Sequence, residues 1–209
     1  MSDTQEVGSL KSPSLLKAID VDRIIVFLSV CMVLYHVVYA RTMFQGPIQH
    51  QDTHLLFGLV IVYLYALKDH KKQRPLIMLL LLGGVISTVY ILWFYPALQE
   101  RIGFPTTSDI YIGIVLLVAC FMASFYALGK VLPIVGLVFI AYTFLGQYVP
   151  GPLWHFPIAL KSAISSYDIG LSGMFGVVLG ASANYIFMFI VFGAILQGSG
   201  AGQFFIEIG

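Results

Sequence analysis

The chain has 209 residues, of which 59% are hydrophobic and only 10% are charged, and its mean hydropathy is +0.91. Soluble domains carry about 25% charged residues, so this composition excludes an ordinary water-soluble globular protein. The formal net charge is +1, and the sequence contains no basic stripe of the kind that binds nucleic acid, so a nucleic-acid partner is not expected.

Residues 1–23 are polar and lack the apolar core of a signal peptide, so they are interpreted as a retained cytoplasmic tail. Six apolar segments follow, and most of them approach the ~20 residues that span a bilayer as an α-helix. In chain order, the predicted transmembrane segments are 24–40, 55–67, 76–96, 110–129, 131–148 and 171–196. The sequence therefore predicts an all-α, multi-pass membrane protein with about six transmembrane helices.

The second segment is the shortest, and it covers only about 20 Å of a hydrocarbon core that is about 30 Å thick. The basic residues nevertheless support a crossing at this segment. If all six segments cross, only Arg41, Arg101 and Lys161 lie on one side of the membrane. The other side carries Lys11, Lys17, Arg23, Lys68, Lys71, Lys72, Arg74 and Lys130. Because basic loops stay in the cytoplasm, this asymmetry predicts a cytoplasmic N-terminus.

The sequence shows no nucleophile motif, phosphate-binding loop or metal-binding histidine motif, so we do not expect an enzyme, a metal site or a bound cofactor. His50 and His54 are four residues apart and close to Asp52, but they lie in a predicted external loop. A solvated loop is the favoured interpretation there, and a metal site is the alternative. His36, near the outer end of the first segment, is expected to make an interfacial or interhelical hydrogen bond.

The sixth segment is rich in small and polar residues. Gly173, Gly176 and Gly180 are predicted to share one helical face, and the spacing of Gly176 and Gly180 is typical of helices that pack closely in lipid. Ser182 and Asn184 lie in the middle of the segment. An amide in hydrocarbon needs a hydrogen-bonding partner, and here that partner is either another helix or a substrate path.

Glycine and aspartate residues mark the predicted helix ends. Gly198, Gly200 and Gly202 predict a helix break after the sixth segment, because glycine readily adopts the left-handed conformation that ends a helix. Asp109 precedes the fourth segment and is predicted to cap it. Asp168 precedes the sixth segment and is interpreted either as a helix cap or as an interfacial residue.

Two stretches of the chain carry a distinctive pattern of glycine, proline and aromatic residues. In residues 104–155 the pattern is formed by Asp109, Gly113, Gly129, Leu132, Pro133, Phe139, Tyr142, Gly146, Pro150, Gly151 and His155. In residues 165–209 it is formed by Gly173, Gly176, Leu179, Ser182, Tyr185, Phe187, Phe189, Phe192, Gly193, Ala194, Leu196, Gly200, Ala201, Gly202, Phe204 and Phe205. The two stretches resemble the fused permeases of TRAP (tripartite ATP-independent periplasmic) transporters of the TAXI type: the first is similar to their linker region, and the second to the start of their large subunit.

The resemblance implies that residues 24–129 form the four-helix small-subunit-like domain, and that residues 130–209 begin the large transport domain. The chain is then expected to be the amino-terminal portion of a longer permease in the cell inner membrane. The implied function is sodium-driven uptake of small organic acids, with a periplasmic substrate-binding protein and the rest of the large subunit as partners. The implied sodium site lies outside this chain. The alternative is a membrane scaffold or interaction protein that does not itself transport.

Overall fold

A computed structural model of the chain describes residues 14–168 and 173–200. Within these ranges the chain is largely helical and no residue lies in a strand. The α-helices are α1 (Ser14–Thr42), α2 (Pro47–Asp69), α3 (Arg74–Glu100), α4 (Thr107–Leu128), α5 (Val131–Leu145), α6 (Leu160–Asp168), α7 (Val177–Ala181) and α8 (Phe187–Gly198). A π-helix, Ser182–Ile186, joins α7 to α8, and we call the continuous Val177–Gly198 segment the π-containing helix.

Five helices in the described part of the chain are long and apolar enough to cross a membrane. They are Val21–Thr42, Lys71–Glu100, Thr107–Leu128, Val131–Tyr148 and Val177–Gly198. This result confirms the prediction of an all-α, multi-pass membrane protein. The helix α2 is not among the five, although its 23 residues rise about 33 Å, which is enough to cross the hydrocarbon core. Its first turns are polar, and this lowers its hydropathy.

The helices α1 and α2 both begin earlier than the sequence predicts. Ser14 starts α1 ten residues before the predicted segment 24–40, so part of the predicted tail is helical; residues 1–13 lie outside the described chain. Pro47 starts α2 eight residues before the predicted segment 55–67. Proline suits the first helical position, and the Gln49 side chain accepts a hydrogen bond from the Gly46 N–H at 3.2 Å.

The core lies where α2 packs against α1, α3 and α4. Tyr63 is fully buried there, and its hydroxyl donates to the Ala119 carbonyl of α4 at 2.6 Å. Gly84 of α3 allows a close approach, because a Cβ at this position would lie 3.3 Å from Leu59 Cδ1. The buried hydrophobic residues of this core include Ile48, Leu59, Tyr63, Ala66, Ile77, Ile91, Leu98, Leu116 and Ala123. The helices α2, α3 and α4 share this core with Phe175, which follows α6, and α1 packs against α2, so α1–α4 form one packed unit.

Asp109 holds the corner between α3 and α4. Thr106 is the N-cap residue of α4, and Asp109 completes a capping box three residues later instead of forming the cap itself. The Asp109 carboxylate accepts from Arg101 Nε at 2.8 Å, from Arg101 Nη2 at 2.9 Å and from the Tyr90 hydroxyl at 2.7 Å. It also accepts from the Thr106 N–H and hydroxyl, each at 2.8 Å. The hydrogen bond to Asp109 raises the pKa of Arg101 above its ordinary value.

Beyond α4, the chain packs more loosely. The His155 ring lies against Gly146, where a Cβ would come within 2.0 Å of His155 Nε2, and this nitrogen donates to the Tyr142 carbonyl at 3.1 Å. The sequence does not predict α6, which packs against α4. Ser165 Oγ of α6 accepts a hydrogen bond from the Gly103 N–H at 3.0 Å. Asp168 is the last residue of α6, so it does not begin the next helix.

Candidate functional site: a histidine cluster beside the π-containing helix

Three histidines from two helices meet at one end of the α1–α2 hairpin. His36 lies within the last two turns of α1, whereas His50 and His54 lie in the first turns of α2. The ring centroid of His36 is 5.1 Å from that of His50 and 5.0 Å from that of His54. His36 and His50 are buried and His54 is half-buried. We call these three residues the histidine cluster.

His36, His54 and Ser182 form a hydrogen-bonded chain across three helices. His36 Nδ1 donates to the Met32 carbonyl at 2.8 Å, since a carbonyl oxygen can only accept. In a neutral His36 ring, Nε2 then accepts from His54 Nδ1 at 2.9 Å. His54 Nε2 in turn accepts from the Ser182 hydroxyl at 3.2 Å. The Met32 carbonyl thus fixes the neutral tautomer of both histidines.

His50 takes part in a second chain. Its Nε2 donates to the Ala183 carbonyl at 3.4 Å, and its Nδ1 lies 3.0 Å from the Tyr35 hydroxyl oxygen. The Tyr35 hydroxyl donates to Gln45 Oε1 at 2.7 Å. The Tyr39 ring stacks on the His50 ring, with centroids 3.5 Å apart. Both chains therefore end on the π-containing helix, at adjacent residues.

The π-helix supplies both of these contacts, because Ser182 and Ala183 are its first two residues. Short π-helices inside α-helices are frequent at functional sites. The predicted partner of Asn184 lies in its own helix, since Asn184 Nδ2 donates to the Gly180 carbonyl at 2.8 Å. The Asn184 side chain is otherwise exposed, so it joins neither a neighbouring helix nor a polar path in the described chain.

Gly180 lies where the π-containing helix touches α2. A Cβ on Gly180 would come within 2.9 Å of Gln51 Nε2, which is tighter than ordinary contact. The prediction that Gly173, Gly176 and Gly180 share one helical face is wrong. The helix begins only at Val177, with Gly176 as its N-cap residue. Gly173 instead lies in a tight backbone contact with α6, where a Cβ would be 2.3 Å from carbonyl oxygens.

Asp52 is a buried acid in the same part of α2. Its side chain is inaccessible to solvent, and neither carboxylate oxygen has a hydrogen-bond partner among the described residues. Gln51 Oε1 is also buried without a partner in that part of the chain. A buried carboxylate without a partner is strongly destabilising, so Asp52 requires a proton or a nearby positive charge.

The prediction of a solvated external loop at His50, Asp52 and His54 is wrong. These residues lie inside α2, and His50 and Asp52 are buried. The histidines can be buried because their ring nitrogens find partners on α1 and on the π-containing helix. The spacing of His50 and His54 was an available signal, because residues four apart share one helical face. Ser182 is too distant in sequence to be paired with His54 from the pattern alone.

The histidine cluster is not arranged as a metal centre. Across the described ranges, no group of three or more histidine, cysteine, aspartate or glutamate residues is placed to hold a metal ion. The geometry explains this, since His36 Nε2 and His54 Nδ1 face each other at hydrogen-bonding distance. Metal ligation would require both lone pairs to point at a shared ion.

The predicted helix break follows the π-containing helix. Gly198 is the last residue of α8, and Gly200 has a φ of +75°. This is the left-handed conformation that favours glycine at a helix end. Gly202 lies outside the described residues.

Comparisons of the chain with protein-family models, with curated proteins and with solved structures find no match. The function proposed below is therefore supported by the sequence resemblance and by the geometry of the helices.

Proposed function

We propose that this chain is a membrane component of a TRAP transporter in the cell inner membrane. Such a system takes up small organic acids, of the C4-dicarboxylate kind, with a sodium gradient and a periplasmic substrate-binding protein. In this proposal, α1–α4 form a brace, and the π-containing helix belongs to the transport unit that the brace supports. The sodium site and the substrate site lie in the remainder of that unit.

The observation that carries the proposal is the way in which the π-containing helix is attached. Its contacts with α1 and α2 lie at Gly180, Ser182 and Ala183 and at Phe187, whose ring centroid is 4.4 Å from that of His36 and 5.7 Å from that of His54. Only 6% of the 18 most apolar consecutive residues of this helix are buried, compared with 28% for Lys71–Glu100, which contains α3. A helix that docks through one short stretch and leaves the rest of its apolar surface free is suited to packing against further transmembrane helices.

The same attachment supports a brace as the role of α1–α4. The helices α2, α3 and α4 share a continuous buried core, α1 packs against α2, and the α3–α4 corner is fixed by the hydrogen bonds to Asp109. A rigid packed unit that touches one helix of a larger assembly can support that assembly while it moves. The alternative, a scaffold that supports other membrane proteins but takes no part in transport, shares this geometry and is separated from the proposal by experiment.

The proposal is tested by deleting the gene in the source cells and measuring uptake of a labelled C4-dicarboxylate and of a panel of other small organic acids. We expect sodium-dependent uptake of at least one acid to be lost and to return when the wild-type gene is restored. Washing periplasmic proteins from spheroplasts should abolish the same uptake. If the deletion leaves every tested acid unaffected, the transport proposal fails and the scaffold alternative is favoured.

A further inference from the structure

The two hydrogen-bonded chains of the histidine cluster differ in their number of protons. In the first chain, the contacts join Met32 to His36, His36 to His54, and His54 to Ser182. Each contact needs one proton. The neutral rings of His36 and His54 and the Ser182 hydroxyl each supply one. The first chain is therefore complete when both histidines are neutral.

The second chain lacks one proton when His50 is neutral. Gln45 Oε1 must accept from the Tyr35 hydroxyl, and the Ala183 carbonyl must accept from His50 Nε2. The contact between the Tyr35 oxygen and His50 Nδ1 then needs a further proton. Neutral His50 has one ring proton and can complete only one of its two contacts: a proton on Nδ1 would serve the 3.0 Å contact with Tyr35 and leave the 3.4 Å contact with Ala183 without a donor. A second proton on His50 would complete the chain, because Nδ1 could then donate to the Tyr35 oxygen.

We propose that the histidine cluster is a proton-binding site and that His50 is the residue that takes up the proton. The proton comes from water at this end of the α1–α2 hairpin and binds to His50 Nδ1, so the charge of the site rises by one. His50 then donates from both ring nitrogens, to Tyr35 and to Ala183, and Tyr35 donates to Gln45. This inference does not depend on which substrate is transported.

The other two histidines gain nothing from an extra proton. A proton on His36 Nε2 would face the N–H of His54 Nδ1 and break the contact between the two rings. A proton on His54 Nε2 would only reverse the hydrogen bond with Ser182, because the hydroxyl can either donate or accept. The geometry therefore distinguishes His50 from its two neighbours.

Hydrogen bonds, and not neighbouring charges, stabilise the proton on His50. The titratable groups around it are Tyr35, His36, Tyr39, Asp52 and His54. On the π-containing helix, the groups that contact the cluster through hydrogen bonds are the Ser182 hydroxyl and the Ala183 carbonyl, which do not titrate. Asp52 is the only acid of this set; its electrostatic contact is with Tyr35, and it does not face His50 because residues two apart lie on different sides of a helix.

Proton binding should strengthen the attachment of the π-containing helix. The His50 Nε2 to Ala183 oxygen distance of 3.4 Å is long for a hydrogen bond. A charged donor forms shorter and stronger hydrogen bonds than a neutral one. The same proton thus completes the Tyr35 contact and tightens the contact between α2 and the π-helix.

The test is NMR of the full chain in lipid nanodiscs with nitrogen-15-labelled histidine, because ring nitrogen shifts distinguish singly from doubly protonated rings. The signals are assigned with single histidine-to-glutamine variants. As the pH is lowered through the ordinary histidine pKa of about 6.5 and beyond, we expect His50 to become doubly protonated before His36 and His54. Protonation of His36 or His54 ahead of His50 would overturn the proposal.

Two matched variants make the test specific. Tyr35→Phe removes the oxygen that would accept from His50 Nδ1, and we expect the proton affinity of His50 to fall about tenfold. Tyr39→Phe keeps the ring that stacks on His50 and removes a hydroxyl that makes no hydrogen bond in the described chain, so we expect no change. If the Tyr35→Phe variant titrates like the wild-type chain, or if both variants shift His50 equally, the proposal is wrong.

Discussion

The four-helix unit and the π-containing helix are both apolar, but they are held in place by different means. In α1–α4 the buried residues of α2, α3 and α4 form a continuous core, α1 packs against α2, and Asp109 fixes the α3–α4 corner. The π-containing helix contributes little buried surface, and it is positioned by Gly180, by hydrogen bonds at Ser182 and Ala183, and by the Phe187 ring against His36. In lipid, where tails are as apolar as leucine, close packing and interhelical hydrogen bonds determine which helices associate.

Because they are held in place differently, the two regions should be affected by different substitutions. Variants of the core and corners should change the free energy of unfolding of the four-helix unit. Variants of the docking contacts should move the π-containing helix while leaving that unit folded. We expect four substitutions to separate the two regions, with losses of stability that decrease from Asp109→Ala to Lys68→Ala.

Asp109→Ala should be the most destabilising of these substitutions. It removes the acceptor for Arg101, Tyr90 and Thr106 together, and leaves a guanidinium without its partner. We expect a loss of about 3 kcal/mol in the free energy of unfolding, measured by denaturation in mixed detergent micelles, because hydrogen bonds to charged groups are strong and Arg101 is only partly exposed. Asp69→Ala, at an exposed helix end, is the control and should change little. Similar losses for both variants would contradict the role of Asp109 as the centre of the corner.

Gly180→Leu should displace the π-containing helix from α2. A Cβ added at Gly180 would lie 2.9 Å from Gln51 Nε2, so a leucine side chain cannot be accommodated without movement of the helix. We expect a cost of about 1–3 kcal/mol and a longer spin-label distance between α2 and α8. Gly193→Leu on the same helix is the control, because its Cβ would meet nothing within 4 Å. An unchanged distance in Gly180→Leu would show that Gly180 is not the point of docking.

Tyr63→Phe should cost about 1 kcal/mol, because it removes one buried hydrogen bond to the Ala119 carbonyl and keeps the ring that fills the core. The spin-label distance to the π-containing helix should not change, since Tyr63 belongs to the four-helix unit. Tyr65→Phe, on the exposed side of the same helix, serves as the control. A shift of the π-containing helix in Tyr63→Phe would erase the distinction between the two regions.

Lys68→Ala should have the smallest effect. Lys68 forms an ion pair with Asp22 that links the ends of α1 and α2, but both side chains are accessible to solvent. Exposed ion pairs contribute little because water and salt screen them. We expect unfolding to match the wild type in the same detergent assay at physiological salt. A clear loss of stability would mean that this pair is shielded from solvent.

Much of the fold could be predicted from the sequence, since long apolar runs have few alternatives to a transmembrane helix. The segments that became α3, α4 and α5 differ from their predicted bounds by a few residues. The amphipathic helix α6 was missed because it is short and too polar to resemble a span. The start of α2 was missed for a related reason, because a run that contains His50, Gln51 and Asp52 resembles a loop until its burial is known.

The candidate site was only partly predictable. Ser182 and Gly180 could be identified because polar and small residues inside a membrane helix need a structural or functional explanation. Their partners could not, since His54 and Gln51 lie more than a hundred residues away in the sequence. The hydrophobic periodicity of the sequence also does not predict the π-helix, which places Ser182 and Ala183 opposite the histidines. Pairing across such separations depends on tertiary packing, which a single sequence does not specify.

The central claim is that the π-containing helix is attached to the α1–α2 hairpin through the histidine cluster. A double-mutant cycle between His54→Leu and Ser182→Ala tests this claim most directly, with the free energy of unfolding measured in the same detergent system for all four proteins. We expect a coupling energy of about 1 kcal/mol, because each single variant removes the same hydrogen bond. Two effects that simply add would contradict the claim, since His54 and Ser182 would then act independently.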